Sequence, residues 1–574
     1  MTVRSVTRAG LHRSCLLGLV ISMSACRQPA PAPQDDGGVN LTVRPVANTI
    51  ANIPPQCFTR TQDAGSKAVQ NPCYVCHAEA PEPNYQSQPE LQLAYAFPQV
   101  HAGSTTHNDW SNLFIDRGRQ IAAITDDDTL SYVRGDNYRN QAGAIELTER
   151  LKNVPAHWDV NGNGSWDGYV PDAQFRFDAQ GYDRTAGGKM TGWRAFVYYP
   201  FPGAFMPTNG AFDDVLIRLP EVFRQDRDGK PSETVYTTNL AIVESLITRR
   251  NTPITATDET ALGVDLDKDG VLGTATQVTF DWAPLEKRYM HYVGQASTAQ
   301  DAGQVHLAAG LFPEGTEFLH SVRYLDLDAT GVVVAAPRMK ELRYSRKRRW
   351  LTYSDLYSQS LKDIKEADLN PDRPEQYLGD PERGLISPLG WAYQGYIEDA
   401  RGRLRPQTQE ESQFCVGCHS GLSATEDGAF AFPRKINRGN NHGWEYWGSR
   451  PFRQLPDPLR TDGQTEFRSY LLANQAGDEF RANAEVRQRF FDENGAPRAA
   501  AFATLATDLE SLMLPSPERA LLLNKAYWLV VREQSFAKGR DPVISPSDNV
   551  LRDVDMDQPT GIVTPLPAPR LGAP

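Results

Sequence analysis

The apolar positions of this chain fall into three regimes. From residue 350 onward they recur at helical spacing, which predicts helices over 350–365, 467–475, 478–491, 499–512 and 516–534, the last with Pro517 near its start. Between about 139 and 345 they alternate or run together in strand-length pieces, at 175–178, 193–199, 215–219 and 278–282, separated by Gly, Asn and Asp turns. A helix is expected inside that stretch, around 240–250. Upstream, from 51 to 138, aromatic and apolar clusters such as 91–98 and 108–114 sit in short pieces broken by Pro. The pattern predicts an α+β chain, mostly helical at both ends, with a β-rich middle domain over 139–345. The tail, 542–574, is Pro-rich and expected to be extended. No repeat of fixed period appears.

Length and composition allow this division. The chain has 574 residues, 40% hydrophobic and 23% charged, enough for several domains of ordinary globular character. The first 25 residues form a leader of their own. Arg4, Arg8 and Arg13 make a basic start, and the apolar run 15–21 is too short to span a bilayer. Met23-Ser24-Ala25-Cys26 closes it and resembles the lipobox of bacterial lipoproteins. That resemblance implies cleavage before Cys26 and lipidation of Cys26. Arg27 follows where an Asp would signal retention at the inner membrane, so the expectation is a periplasmic protein, lipid-anchored to the outer membrane. Residues 26–50, with alternating Pro and Ala, read as a disordered tether. Loss of the leader removes three Arg and no acid, moving the formal charge from −12 by three to −15. Such a surface does not suit nucleic acid and suits a small or basic partner.

Two pentads carry the chemistry. Cys73-Tyr74-Val75-Cys76-His77 and Cys415-Val416-Gly417-Cys418-His419 both read C-x-x-C-H, the attachment signature of a c-type haem. Two thiols on one helical turn can form thioethers with the two vinyl groups of one haem. The His that follows then offers an imidazole nitrogen as axial iron ligand, so His77 and His419 are metal ligands in this reading. A redox dithiol or a four-cysteine zinc site also uses C-x-x-C, but neither explains a His in the fifth place twice. Export fits as well, because c-type attachment occurs outside the cytoplasm. Of the seven Cys, only Cys57 is left over, and a buried inert thiol is the reading for it.

The second ligand of each iron decides between carrier and catalyst. His101, His107, Met190 and Met206 are candidates for the first haem, and His442 and Met513 for the second; His107 and His442 are preferred. Two Asx-rich loops invite calcium: Asp265, Asp267 and Asp269 followed by Gly270, and Asp159, Asn161, Asn163 and Asp167. Neither has the Glu that closes an EF-hand loop, so Asp172 or a carboxylate from elsewhere would have to serve. Arg343, Arg346, Lys347, Arg348 and Arg349 form a basic cluster in an acidic chain, read as a solvated helix face or as counter-charges for haem propionates.

On the pentads and the lipobox the chain resembles a large dihaem c-type cytochrome lipoprotein of a bacterial envelope. The resemblance implies two covalent haems held by Cys73, Cys76 and His77 and by Cys415, Cys418 and His419. It implies a first haem segment over 51–138 and a helical second haem domain over 346–541. It further implies electron transfer with redox partner proteins of the envelope. A dihaem oxidase or peroxidase, with one iron left open, is the alternative. Dihaem peroxidases carry their two pentads much closer together in sequence.

Overall fold

The computed structural model describes residues 39–567, apart from 43–45, 61–72, 80–81, 84, 86–88, 98–104, 205, 371–376, 420–426, 428–431, 475–479 and 482. The leader and Cys26 lie outside the described residues. The described residues form one compact unit.

Its centre is a sheet. The strands are, in chain order, β1 (Thr105–His107), β2 (Tyr182–Arg184), β3 (Met190–Phe196), β4 (Phe212–Arg218), β5 (Thr252–Asp258), β6 (Thr274–Val278), β7 (Glu317–Leu327), β8 (Val333–Lys347), β9 (Leu378–Asp380), β10 (Gly384–Ile386), β11 (Trp391–Glu398), β12 (Leu404–Pro406) and β13 (Asp553–Asp555). Nine of them build one sheet in the order β2-β3-β4-β7-β8-β11-β10-β9, with β12 also on β11. Every pairing in it is antiparallel. The long β7–β8 hairpin is its spine.

Register fixes what each face carries. One row across the sheet reads Phe196, Val215, His320, Arg343, Gly395, and the next reads Asp213, Val322, Glu341, Ile397. Side chains alternate along a strand, so these rows share a face with Phe318 and Tyr393. The opposite face packs Trp193, Ala195, Leu216, Leu319, Leu342 and Tyr396 into a separate core. Both faces are covered, which is why β11 is buried at every position and shows no alternation.

The expected class, mostly helical haem segments at both ends of a β-rich middle, is overturned by this sheet. Strands β9 to β12 belong to it and lie in the stretch assigned to a helical second haem domain. At the other end the first segment holds only short helices among the described residues. Its strand β1 pairs with β13 near the C-terminus, and bridges Thr59–Val550 and Ala94–Pro559 extend that seam. The two ends of the chain close on each other instead of forming separate helical bodies. The physical cause is that short strands and long-range seams leave little periodicity to read.

Helices do occupy the C-terminal stretches expected of them: Tyr353–Leu369, Glu466–Asn474, Ala484–Phe490, Ala499–Leu505, Glu510–Met513 and Pro517–Glu533. Their starts follow capping chemistry. Thr352 and Asp355 form a capping box, and the Ser516 hydroxyl accepts from the Arg519 amide with Pro517 at the first helical position. Inside the β-rich stretch the expected helix is Glu233–Thr248.

Candidate functional site

The second pentad closes the helix Gln409–His419, which follows directly on β12. That helix is fixed at its start. The Thr408 hydroxyl accepts from the Glu411 amide at 3.2 Å, and the Glu411 carboxylate accepts from the Thr408 amide at 2.8 Å. Arg405 of β12 then grips the same carboxylate with two bonds of 2.8 Å, both partners buried. The first pentad is a single helical turn, Cys73–Cys76, with the His77 amide donating to the Cys73 carbonyl at 2.8 Å.

Folding brings the two pentads to neighbouring hollows. A cavity of about 310 Å³ is lined by Cys57, Cys73, Cys76, His77 and Cys418, with Met206 and Tyr527. A second, of about 110 Å³, is lined by Cys415, Cys418, His419, His320 and Tyr393. Cys418, Asp213, Arg343 and Phe414 face both. The sheet face carrying His320 and Arg343 is the common floor.

Burial sets the protonation of this region. It holds the His77 imidazole down to about 4 and the His419 imidazole down to about 3, the latter helped by His320 and Arg343. Both rings are therefore neutral at neutral pH, and each keeps a lone pair for a ligand bond. Burial also raises the Cys57, Cys415 and Cys418 thiols, and lifts Cys76 to about 11. A redox dithiol needs the opposite shift. Among the described residues, no three Cys, His or carboxylate atoms at the pentads lie within 4.8 Å of one another, as a zinc cage would require.

Charge is dense around the first cavity. Arg343 and Arg540 both reach Glu341, at 2.9 and 3.0 Å, and Arg481 reaches Asp541 at 2.7 Å. Burial opposes ionisation of Glu341, but Arg343 and Arg540 bring it down to about 2. Lys340 is lowered to about 7 by burial. Among the described residues, six buried polar atoms on this wall have no hydrogen-bond partner: His77 Nδ1, Gln56 Oε1, Asn209 Oδ1, Tyr527 Oη, Arg540 Nε and Asp541 Oδ2. Buried polar atoms are nearly always paired, so such a concentration marks a wall built for a ligand with polar groups.

His320, which sequence reasoning missed, stands in the second cavity with His419. Its Nδ1 lies 3.2 Å from both Asp213 oxygens, and Tyr198 donates to Asp213 Oδ2 at 3.3 Å. Burial works to raise Asp213, yet His320 and Arg343 hold it below its ordinary value. A carboxylate on one ring nitrogen fixes the ring and leaves Nε2 for a ligand. The preferred sequence candidates are elsewhere. His107 is half-exposed on β1, 2.8 Å from Asp553, and lines neither cavity. His442 lines a third cavity, with Arg194. Met513 is buried in a different core cluster, and His101 lies outside the described residues. The basic cluster lies at the end of β8 and just beyond it, not on a helix: Arg343 faces both cavities, Lys347 is buried against Asp427 at 2.6 Å, and Arg346, Arg348 and Arg349 are exposed.

The two Asx loops differ. Asp265 and Asp267 are joined by Glu259, their oxygens within 4.8 Å of one another, while the Asp269 carboxylate turns to the Val271 amide. Glu259, which comes from before the loop rather than from position 12, is the third carboxylate of this cluster. At 159–167, Glu382 bonds the Asp167 amide at 2.7 Å, but Asp167 itself is taken by Arg383 and by the Asn161 and Asn163 amides.

A family profile described as "-like lipoprotein" matches residues 41–505. The chain belongs to this lipoprotein family. It is also 30% identical to an uncharacterised lipoprotein of Aquifex aeolicus over 90% of each chain. No solved structure matches. The lipoprotein match places the chain at a membrane of the cell envelope by a lipid anchor. Among the described residues no helix is long and apolar enough to cross a membrane. The matched span contains both pentads and the whole nine-stranded sheet.

Proposed function

We propose that this lipoprotein is a dihaem c-type cytochrome that carries electrons in the periplasm, anchored to the outer membrane and serving redox partner proteins there. The observation that carries the proposal is the meeting of two C-x-x-C-H pentads on adjoining cavities, each cavity offering a second ligand-type side chain. Cys73 and Cys76 would hold one haem and Cys415 and Cys418 the other, and His77 and His419 would each offer an imidazole nitrogen to the iron. Met206 in the first cavity and His320 in the second would be available as further iron ligands. Haem, when bound, supplies a one-electron couple at the iron.

The rest of the work belongs to the chain. Lys340, Arg343, Arg481 and Arg540 counter the charge of carboxylates placed at the first cavity. The unpaired wall atoms fit a cofactor with a polar edge. Tyr393, its ring centroid 5.3 Å from that of His419, and Phe414 keep the pentads dry. Asp213 orients His320. A second reading rests on that same pair: a His held by a carboxylate can also move a proton for peroxide or oxygen, if the second iron is left open. The Glu259 loop is, in our reading, a calcium site of structural role.

The test is the optical and EPR spectrum of the purified lipoprotein with and without carbon monoxide, together with a pyridine haemochrome count. The expected result is two low-spin haems per chain that ignore carbon monoxide, with His320→Gln making one of them bind it. A wild-type haem that binds carbon monoxide transfers the case to the oxidase reading. Absence of covalent haem refutes both.

A further inference from the structure

A third cavity, of about 370 Å³, lies apart from the pentads. Arg194 of β3, Thr237 and Ala241 of the helix Glu233–Thr248, Thr255 of β5 and the loop 439–445 form its walls. Arg194 is only 3% exposed. Its guanidinium lies between the Tyr182 and Trp444 rings, 4.4 and 3.9 Å from their centroids, and its Nε donates to the Gln180 carbonyl at 3.0 Å. Among the described residues no carboxylate pairs with it, and Nη1 is buried without a partner. Across the same cavity, Asn441 is held by its amide nitrogen, which donates to the carbonyls of Trp444 at 3.1 Å and Ala179 at 3.3 Å. That leaves Asn441 Oδ1 as a second buried, unpaired atom.

The remaining charges narrow the ligand. Lys435 is matched to Glu244 at 3.1 Å and donates to the His442 carbonyl, so it adds no uncompensated charge. Glu445, on the rim, shares one oxygen with the Ser449 hydroxyl at 3.1 Å and would repel a second negative charge. The site thus presents one unpaired cationic donor, one unpaired acceptor and an acidic rim. One bridging water could satisfy both orphan atoms, but it needs roughly 10–15 Å³ of such space, far less than is present. The volume is that of a small-molecule pocket.

We propose that this cavity binds a small monocarboxylate that also carries a hydroxyl or ammonium donor, its carboxylate on Arg194 and its donor on Asn441. Guanidinium and carboxylate are matched in shape and charge, and a buried pair of this kind excludes analogues that lack either group. The inference stands independently of haem.

Isothermal titration of the full mature chain with glycine and with lactate tests it. Acetate lacks the donor, acetamide the charge, and succinate carries a second charge; all three serve as comparators. The expected result is saturable heat with glycine or lactate and at least tenfold weaker binding of the comparators. Arg194→Gln should abolish the signal. Because Arg194 is a core residue, Thr255→Trp at the exposed rim is the companion: it should weaken binding tenfold or more with the unliganded melting temperature unchanged. No saturable heat with glycine or lactate, or equal binding by Thr255→Trp, overturns the proposal.

Discussion

Gly417 sits between the two thiols of the second pentad, in a helix, and two rules make opposite predictions for Gly417→Ala. Helix propensity alone favours Ala by about 1 kcal/mol. Packing opposes it. A Cβ built at 417 would lie 2.4 Å from the Asn52 carbonyl oxygen, 2.9 Å from its carbon and 3.1 Å from Pro54 Cδ. Ordinary contact begins near 3.4 Å, so backbone would have to move by about 1 Å. The strand of chain at 48–58 is poorly placed to yield. The Ile53 carbonyl accepts from Trp110 Nε1 at 2.7 Å, the Asn48 amide donates to Glu410 at 2.6 Å, and Ile50, Ile53 and Phe58 are core residues. Overpacking against such a wall costs about 1–3 kcal/mol, and loosening the Trp110 bond about 1 more. The expected net is a loss of about 1–3 kcal/mol after the propensity gain. Urea midpoints of wild type and variant measure it, with hydrogen exchange over 48–58 as the local readout; that segment should exchange faster in the variant. A variant more stable by about 1 kcal/mol, with exchange unchanged, would refute the packing described here and leave propensity in charge.

Three further outcomes follow from the site and its surroundings. Asp457 accepts from the Phe467 and Arg468 amides at 2.9 and 2.8 Å, and burial pushes its carboxyl up to about 6. The folded chain then holds its proton more tightly than the unfolded one, so this group's contribution is fully present below about pH 4 and is lost as pH rises to about 6, up to about 3 kcal/mol in all; the wild-type minus Asp457→Asn difference in urea midpoint, measured across that window, should show this slope. Glu259 accepts from the Leu266, Asp267 and Gly273 amides, so Glu259→Gln should cost about 1–3 kcal/mol without added metal, and calcium should raise the melting temperature of wild type but not of the variant. Replacing Cys73 and Cys76 by Ser should lower the melting temperature more than replacing Cys415 and Cys418; equal losses would contradict the asymmetry of the two cavities.

What was legible in the sequence follows the range of the interaction. The pentads are local, as are the helices of the C-terminal half, whose stripes and caps announce them. Strands β9, β10 and β12 have three residues each, too few for a period, and β11 is buried on both faces, so its pattern resembles a core run rather than a strand. The closeness of the pentads depends on the seam between β1 and β13, for which no local signal exists. His107 and His442 lie downstream of their pentads in sequence, but position along the chain does not tell which side chains the sheet brings to a pentad. His320 sits two residues from both Phe318 and Val322 on one face of β7, and only its pairing with β4 and β8 sets it beside Asp213 and Arg343. Arg343, by contrast, was visible as part of a basic cluster, though that cluster lies at the end of β8 and just beyond it, with Lys347 buried between the exposed Arg346 and Arg348, and not on a helix face.

The two cavities differ in how much they ask of an occupant. The wall of the first holds six buried unpaired atoms, while among the described residues none of those lining the second is unpaired. Each such atom costs about 1–3 kcal/mol, so together they approach the whole stability of a typical domain, about 5–15 kcal/mol. Water can relieve part of this, but the salt-bridged arginines already hold the wall in one arrangement: Arg540 and Arg343 share Glu341, and Arg434, which only partly offsets the burial that raises Cys76, is locked to Glu466 at 3.0 Å with both partners buried. Buried ion pairs add little net stability and much positional order. A wall ordered by such pairs and left with unsatisfied edges is preorganised for a partner that supplies the missing hydrogen bonds, and binding then feeds directly into folding. The second cavity has its Asp213–His320 pair complete and its aromatic walls in contact, so it stands with less help. Stability of the lipoprotein should therefore track occupancy of the first pentad, and reactivity, if any, the second.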